Sequence, residues 1–558
     1  MARAVSEFET GIELRYAVIA GDYLASASEL PHASKESADA RIRSLGRFAA
    51  LTGILIVLHA ALLKLPYLWD EAGYYIPAAR DLLLDGTFIP HSTISNAHPP
   101  LVMAWLALWW KIFGCYPVTT RIAMLMVASF TLLGVFGLAR LVANTGVAIA
   151  STSLTALYSI FFMQSSLAHL DLAAAGFTIW GLHSYLEDRP LPTAIWFSLA
   201  ALTKETAILA PFSILAWELI KRWAPAGSVQ TASSRPEPQG FMLLIPFAPL
   251  ALWFAYHYAR TGYVFGNPEF FRYNVKATLH PLRIILALAM RVWQLTGYMH
   301  LWLLTIAGLM AMFLPPLRDS GRERPRIAIS IQAVFLTVVL AYVLAMALVG
   351  GAVLARYMLP VLPLVIILWT STLWRRVIYW KAVIGIVALA FVAAWLINPP
   401  YGFSFEDNLA YRDYILLHEH AEDFLQSHFP SAHVLTAWPA SDEISRPYLG
   451  YVSRPLRVVR IEDFSFQQTA SAAASRSQYD VALVFSTKYL PPNPLLGRWP
   501  PWERLKEQYF GFHRDLPLDI VAQMLDGKII YRDARHGQWI GIVEVQPIVE
   551  AKECQQFP

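Results

Sequence analysis

Apolar residues run in long, nearly unbroken stretches through the first four hundred positions, separated by short polar or proline-bearing corners. A helix that crosses lipid needs about 20 such residues. That rule predicts eleven spans, near 48–65, 121–141, 147–167, 171–187, 191–203, 205–222, 241–260, 298–316, 327–349, 357–374 and 380–397. The 191–222 stretch reads either as a broken hairpin or as one long helix. Two further apolar segments suit helices lying along the interface, apolar side down. One is 99–113, which ends at Lys111 and Gly114; the other is 282–297, which carries Arg283, Arg291 and Gln294.

Loop charge orients these spans. Arg41, Arg43 and Arg47 precede the first, Arg140 ends the second and Arg189 follows the fourth. Lys221, Arg222 and Arg235 follow the sixth. Arg318, Arg322, Arg324 and Arg326 form the most basic short loop, and Arg375, Arg376 and Lys381 form the last. Eleven spans with the N-terminus in the cytoplasm put all of these clusters inside, as the positive-inside bias asks. The segment 66–120, the corner at Lys204, 261–297 and 350–356 then face outward, with everything after Asn398.

Beyond Asn398 the pattern changes. Helical stretches near 407–428 and 498–510 alternate with β-rich runs at His433–Thr436, Leu456–Arg460, Val481–Phe485 and Trp539–Val545. Such alternation predicts a small α/β domain with a mostly parallel sheet. The expected organisation is a cytoplasmic segment 1–46, a transmembrane domain 47–397 with an external loop 66–120, and an extracytoplasmic α/β domain 398–558. No internal repeat and no glycine-rich nucleotide loop is visible.

Composition agrees with this polytopic α-helical membrane protein. The 558 residues are 56% hydrophobic and 15% charged, against about 25% charged for soluble domains. Nineteen tryptophans and 25 tyrosines supply aromatic belts. A net charge of +4 gives no reason to expect nucleic acid. Cys115 and Cys554 lie too far apart in character to suggest a disulfide framework. The polar first forty residues show no signal-peptide pattern.

Chemistry concentrates at the outer ends of the spans. Asp70 and Glu71 follow the first apolar stretch, and an acidic pair at a bilayer rim points to function. They open a short helix whose Tyr74, Tyr75, Ala78, Ala79 and Leu82 share one face; Tyr74 counts among the substrate-binding candidates. The plain alternative for Asp70 is a helix cap. Asp171, in Ala168-His169-Leu170-Asp171, is a second acid with the same alternative. Arg121, Lys204 and Arg356 are outward cations suited to a phosphate, or else snorkelling side chains. His98, before Pro99-Pro100, is a candidate for phosphate or metal.

Taken in order, WDEAGYY with AARDLL, HPPLVMAWLALWWKIFG, RIAMLMVASFTLLGVFGLARLV, LAHLDLAAAGF, LAALTKETAILAP and ARYMLPVLPLVIIL resemble the GT-C superfamily of membrane glycosyltransferases. The nearest branch is that of protein O-mannosyltransferases and lipid A aminoarabinose transferases. The resemblance covers about residues 45–375. It implies an enzyme that moves a sugar from a polyprenyl-phosphate donor to a lipid, glycan or protein acceptor at the outer face of a bacterial inner membrane. Asp70 would be the general base and inversion the outcome. Glu71 matches the second acid of the pair and Arg121 a phosphate-contacting arginine, with Arg356 placed to help. His98 stands where many relatives have lysine, so the lysine's role does not transfer. A divalent metal is left open by the resemblance. A transporter or flippase is the competing reading, and its polar residues belong mid-span at broken helices. A third is a membrane sensor, which would tolerate replacement of Asp70.

Overall fold

The computed structural model describes residues 42–223, 238–491, 499–512 and 514–545. Most of the expected N-terminal segment, Arg235 and Cys554 lie outside the described residues. The chain divides into two compact units, 1–57 and 58–558. In the first, a helix begins at residue 42, and Thr52 Oγ1 donates to Phe48 O one turn earlier at 2.9 Å.

In the second unit, two helices are long and apolar enough to cross a membrane without a break, Pro117–Val142 and Ile329–Leu348; a third such segment, Gly240–Thr261, turns at residues 243–246 before the helix Phe247–Thr261. A fourth such segment, Pro281–Met312, is interrupted at Met299 and His300, whose φ values are 45° and 67°. Leu101–Phe113, Thr145–Leu157, Pro190–Thr203 and Trp380–Leu396 are apolar but shorter. The Ile329–Leu348 helix shows the environment these helices meet. Leu336, Leu340 and Leu344 repeat every fourth residue and stay exposed, while Phe335, Val338 and Tyr342 are buried. A helix apolar on both faces suits lipid on one side and protein on the other. These are the helices of a multi-pass membrane protein.

Several predicted spans are interrupted. The 147–167 span is two helices, Thr145–Leu157 and Ser159–Gln164, divided where Tyr158 turns to ψ 128°. The 191–222 stretch takes its broken form: Pro190–Thr203 ends at Lys204, which is extended at φ −150°, ψ 129°, and Leu209–Trp223 follows a short 3₁₀ turn. The Pro281–Thr296 helix differs from expectation in the direction of its polar face. Arg283, Arg291 and Gln294 are buried, whereas Ile285 and Val292 are exposed. The polar face therefore binds protein carbonyls rather than water: Arg291 donates to Met346 O and Leu354 O, and Arg283 to Gly350 O.

Two of the basic clusters, at 318–326 and 375–376, meet. A two-residue hairpin pairs Arg318–Asp319 with Arg322–Glu323. Leu317 N donates to Arg375 O at 2.9 Å, and Arg324 Nη1 to Trp374 O at 2.6 Å.

The C-terminal region forms a five-stranded sheet. Its strands are β1 (His433–Ala437), β2 (Arg457–Ile461), β3 (Val481–Phe485), β4 (Gly527–Arg535) and β5 (Gln538–Val545), in the order β2-β1-β3-β5-β4. The pairs β2–β1 and β1–β3 are parallel, and β3–β5 and β5–β4 antiparallel. The sheet is therefore mixed, where a mostly parallel one was expected. The difference is β4, which joins β5 through His536 and Gly537, both at positive φ (44° and 87°); such turns match the twist of paired strands. The Ala410–His428 helix covers the sheet with Leu417 and Leu425.

The sheet and the loop after residue 65 share one core. Tyr67, Leu68, Ala72 and Tyr75 join Tyr414, Val434, Leu483 and Ile542 in a single buried cluster. Tyr67 N donates to Leu449 O at 3.2 Å, and Arg446 Nη2 to Ser92 O at 3.0 Å. Residues 398–545 thus pack as part of the second unit, because the expected external loop contributes apolar side chains to their core.

Candidate active site

The chain turns sharply into Asp70. Trp69 has φ 45°, a strained position for a non-glycine residue, costing about 1–3 kcal/mol. Surrounding aromatics hold it there. Its ring centroid lies 5.2 Å from Trp438, 6.1 Å from Tyr414 and 6.4 Å from Phe405. A wide π-type turn over Glu71–Tyr75 follows, then the helix Ile76–Asp85, which Gly86 ends at φ 69°. Turns of that width recur at functional sites. A Cβ on Gly73 would sit 3.0 Å from the Trp438 ring, so glycine lets the turn close onto the sheet region.

Asp70 occupies the cap position, but its side chain makes no capping bond. Its Oδ2 accepts instead from Arg356 Nη2. Arg356 is 2% exposed and is the hub of a charged cluster. Its Nη1 donates to Glu406 Oε2, its Nε lies 3.3 Å from Asp171 Oδ2, and Lys204 Nζ donates to Asp171 Oδ1 at 2.6 Å. Asp171 also lacks a capping role: it sits in the first turn of Leu170–Leu186 and is 3% exposed. The helix break at Lys204 and the start of that helix bring the two residues together. Asp70 differs from its companions in being 27% exposed, and no hydrogen bond among the described residues engages its Oδ1.

His169 Nδ1 donates to Gln164 Oε1 at 2.7 Å, and its Nε2 lies 3.3 Å from Arg356 Nη1. Burial, then the Arg356 charge, push its pKa well below the usual imidazole range, so it is a neutral acceptor. Burial pushes Glu406 up to about 8 against the opposing pull of Arg356. Burial likewise raises Asp407 to about 7, although Tyr298 donates to its Oδ2 at 2.6 Å.

Glu71 and Arg121, adjacent in the expected site, form a separate buried pair. Arg121 grips both carboxylate oxygens and also donates to Ser166 O and Pro66 O, each at 2.9 Å. Leu68 N and Ala168 N complete Glu71's shell. Both side chains are buried. The sequence reading placed Glu71 with the catalytic acids and Arg121 at a phosphate; the geometry commits each to the other.

His98 Nδ1 lies 2.8 Å from Glu205 Oε2. Burial alone would raise the Glu205 carboxyl, but His98 and Lys204 hold it below its ordinary value. His98, Tyr74, Tyr75, Ala78 and Leu82 line one cavity with Asn96, which gathers most of the helix face read from the sequence. The loop beyond is pinned by Trp253 Nε1 donating to Ala97 O at 2.8 Å.

Sequence reasoning gave no role at the site to four contributors. Glu406 stands 50 residues from Arg356 in the chain, in a polar stretch without span periodicity. Tyr357 gathers cations: Lys204 Nζ lies 4.1 Å, Arg291 5.4 Å and Arg356 5.8 Å from its ring centroid. Arg291 has a buried Nη2 and Arg283 a buried Nη1 with no hydrogen-bond partner. An arginine inside a predicted apolar helix was the available signal.

Among the described residues, two trios could hold a metal: Asp81, Asp85 and His91, and His418, Glu422 and Glu443. Asp81 is occupied by His91 N, Ser92 N and Ser92 Oγ, all within 2.9 Å, and so closes the loop.

No family model matches the chain, and no curated protein matches its sequence. Solved structures do match. ArnT from Cupriavidus metallidurans, bound to undecaprenyl phosphate, aligns with a TM-score of 0.50 at 12% identity, covering 89% of this chain and 97% of that one. Its apo state aligns at 0.50 and 13%, covering 90% and 98%. The Archaeoglobus fulgidus oligosaccharyltransferase with zinc and sulfate aligns at 0.44 and 12%, covering 79% and 68%. The near end-to-end match shows that this chain shares the fold of ArnT.

Proposed function

We propose that the protein is an inverting glycosyltransferase that moves a sugar from a polyprenyl-phosphate donor to a lipid, glycan or protein acceptor at the outer face of a bacterial inner membrane. The N-terminus is cytoplasmic and the sheet-bearing region extracytoplasmic in this reading. The observation that carries it is Asp70: a partly exposed carboxylate, fixed through one oxygen by Arg356, with the other oxygen uncommitted.

Asp70 Oδ1 takes the proton of the acceptor hydroxyl or amine as that atom attacks the anomeric carbon. The bond from that carbon to the phosphate oxygen breaks, and the polyprenyl phosphate leaves with the bonding pair. Attack opposite the phosphate inverts the configuration. Asp171 and Glu406 act by holding Arg356 and Lys204 in place, and Glu71 by supporting the loop through Arg121.

Charge growing on the leaving phosphate needs fixed donors, which are worth most where water is excluded. Lys204 and Arg291, beside Tyr357, fit that task best, because among the described residues no carboxylate pairs with Arg291. Arg356 adds its field. Arg121 is too fully engaged to do so. Tyr74 and His98, on the adjoining cavity, meet the sugar or acceptor.

Mass spectrometry of copurifying lipid tests the reading. The Asp70→Asn protein should retain a polyprenyl-phosphoryl sugar that wild type turns over when acceptor is added. No bound polyprenyl phosphate in either protein, under conditions that preserve lipid, would remove it.

A further inference from the structure

A second buried polar cluster lies behind the Asp70 turn. His418 and Glu422 stand one turn apart on the Ala410–His428 helix, which puts them on one face. Glu443 ends the short helix Ala440–Glu443 that follows β1. All three are buried. His418 Nδ1 lies 2.7 Å from Glu443 Oε2 and 3.5 Å from Glu422 Oε1, and one ligand atom from each residue falls within 4.8 Å of the others.

The cluster lacks what buried charge requires. Both oxygens of Glu422, Oε1 of Glu443 and Nε2 of His418 have no hydrogen-bond partner, and neither have the hydroxyls of Tyr414 and Tyr451. Among the described residues, no lysine or arginine pairs with Glu422 or Glu443. Two buried carboxylates without a cation are strongly unfavourable. A doubly charged ion would balance both. One imidazole nitrogen and two carboxylate oxygens make a donor set suited to zinc or a similar transition ion, with bonds of about 2.0–2.2 Å.

We propose that His418, Glu422 and Glu443 bind one divalent transition-metal ion of the zinc class, which ties the Ala410–His428 helix to the segment after β1. Tyr414 and Tyr451, whose rings lie 4.0 Å and 6.5 Å from that of His418, bring their unpartnered hydroxyls to the same cluster. The ion's role is structural. The His418 ring stacks on Tyr414 at 4.0 Å, and Tyr414 packs on Trp69, so the tie braces the strained residue next to Asp70. This site stands apart from the transfer chemistry proposed above.

Elemental mass spectrometry tests it on the full chain, purified through a peptide-epitope tag without chelator from zinc- and manganese-supplemented cultures. About one equivalent of metal per chain is expected in wild type, falling at least about tenfold in a Glu422→Gln, Glu443→Gln double variant, together with a lower melting temperature. X-ray absorption of wild type should show nitrogen and oxygen ligands with a histidine signature and no sulfur; this decides the matter if the variant does not accumulate. Metal well below one equivalent in wild type would overturn the proposal. So would a double variant that keeps its metal, or one that melts at or above wild type, as a proton shared between the two glutamates requires.

Discussion

Arg356 Nη2 donates to Asp70 Oδ2 across 286 residues of chain. The same guanidinium holds Glu406 and faces Asp171, so one side chain fixes acids contributed by three separate segments of the chain.

Replacing Asp70 with Asn should lower sugar transfer by roughly 10²-fold or more, the range of a lost general base. The melting temperature should move little, because Asp70 is partly exposed. Transfer at the wild-type rate would exclude Asp70 as base.

Arg356→Ala should be severe for the fold as well. It strands Asp171 and Glu406 in a buried site, and breaking a buried pair typically costs about 3–5 kcal/mol. Arg356→Lys keeps the charge but not the planar fork, so it should recover stability in thermal unfolding while leaving transfer low. Full activity in Arg356→Lys would contradict a positioning role.

Arg121→Ala should act through stability, by about 3–5 kcal/mol, since it leaves Glu71 buried alone. The protein that does fold should bind donor lipid with wild-type affinity, measured by scintillation proximity. Weakened binding at unchanged stability would return Arg121 to the phosphate.

Burial raises Glu406 to about 8 and Asp407 to about 7, well above the ordinary carboxylate range. Each therefore holds a proton in the folded state that the unfolded chain has already lost near neutrality. Stability from these groups is fully present below about pH 4 and declines as pH rises through about 8. Glu406→Gln should flatten that decline and raise stability at pH 9 by on the order of 1 kcal/mol. A wild-type melting temperature that rises between pH 5 and 8, and does so equally in the variant, would refute the assignment.

The periodicity of apolar residues was enough to locate the Pro117–Val142 and Ile329–Leu348 helices, and β-rich runs located β1, β2, β3 and β5 within a residue or two. The strand β4 escaped because Arg532, Asp533 and Arg535 interrupt its apolar alternation; pairing with β5 overrides that local signal. Asp70, Asp171, Lys204 and Arg356 were legible as chemistry at span ends, because ionisable residues beside long apolar runs are costly unless used. Their partners were not. Whether Arg121 faces a ligand or Glu71, and whether Arg291 faces solvent or the ring of Tyr357, depends on contacts between segments far apart in the chain.

Hydrophobic spacing is a local property, so the sequence alone determined a many-helixed membrane protein with a β-containing C-terminal region. It also determined the order of its motifs. Only the tertiary structure decided which charges neutralise one another, because pairing energy depends on distance and burial rather than on position along the chain. That is why Glu406 entered the Asp70 cluster unannounced, and why Glu71 and Arg121 left it for each other.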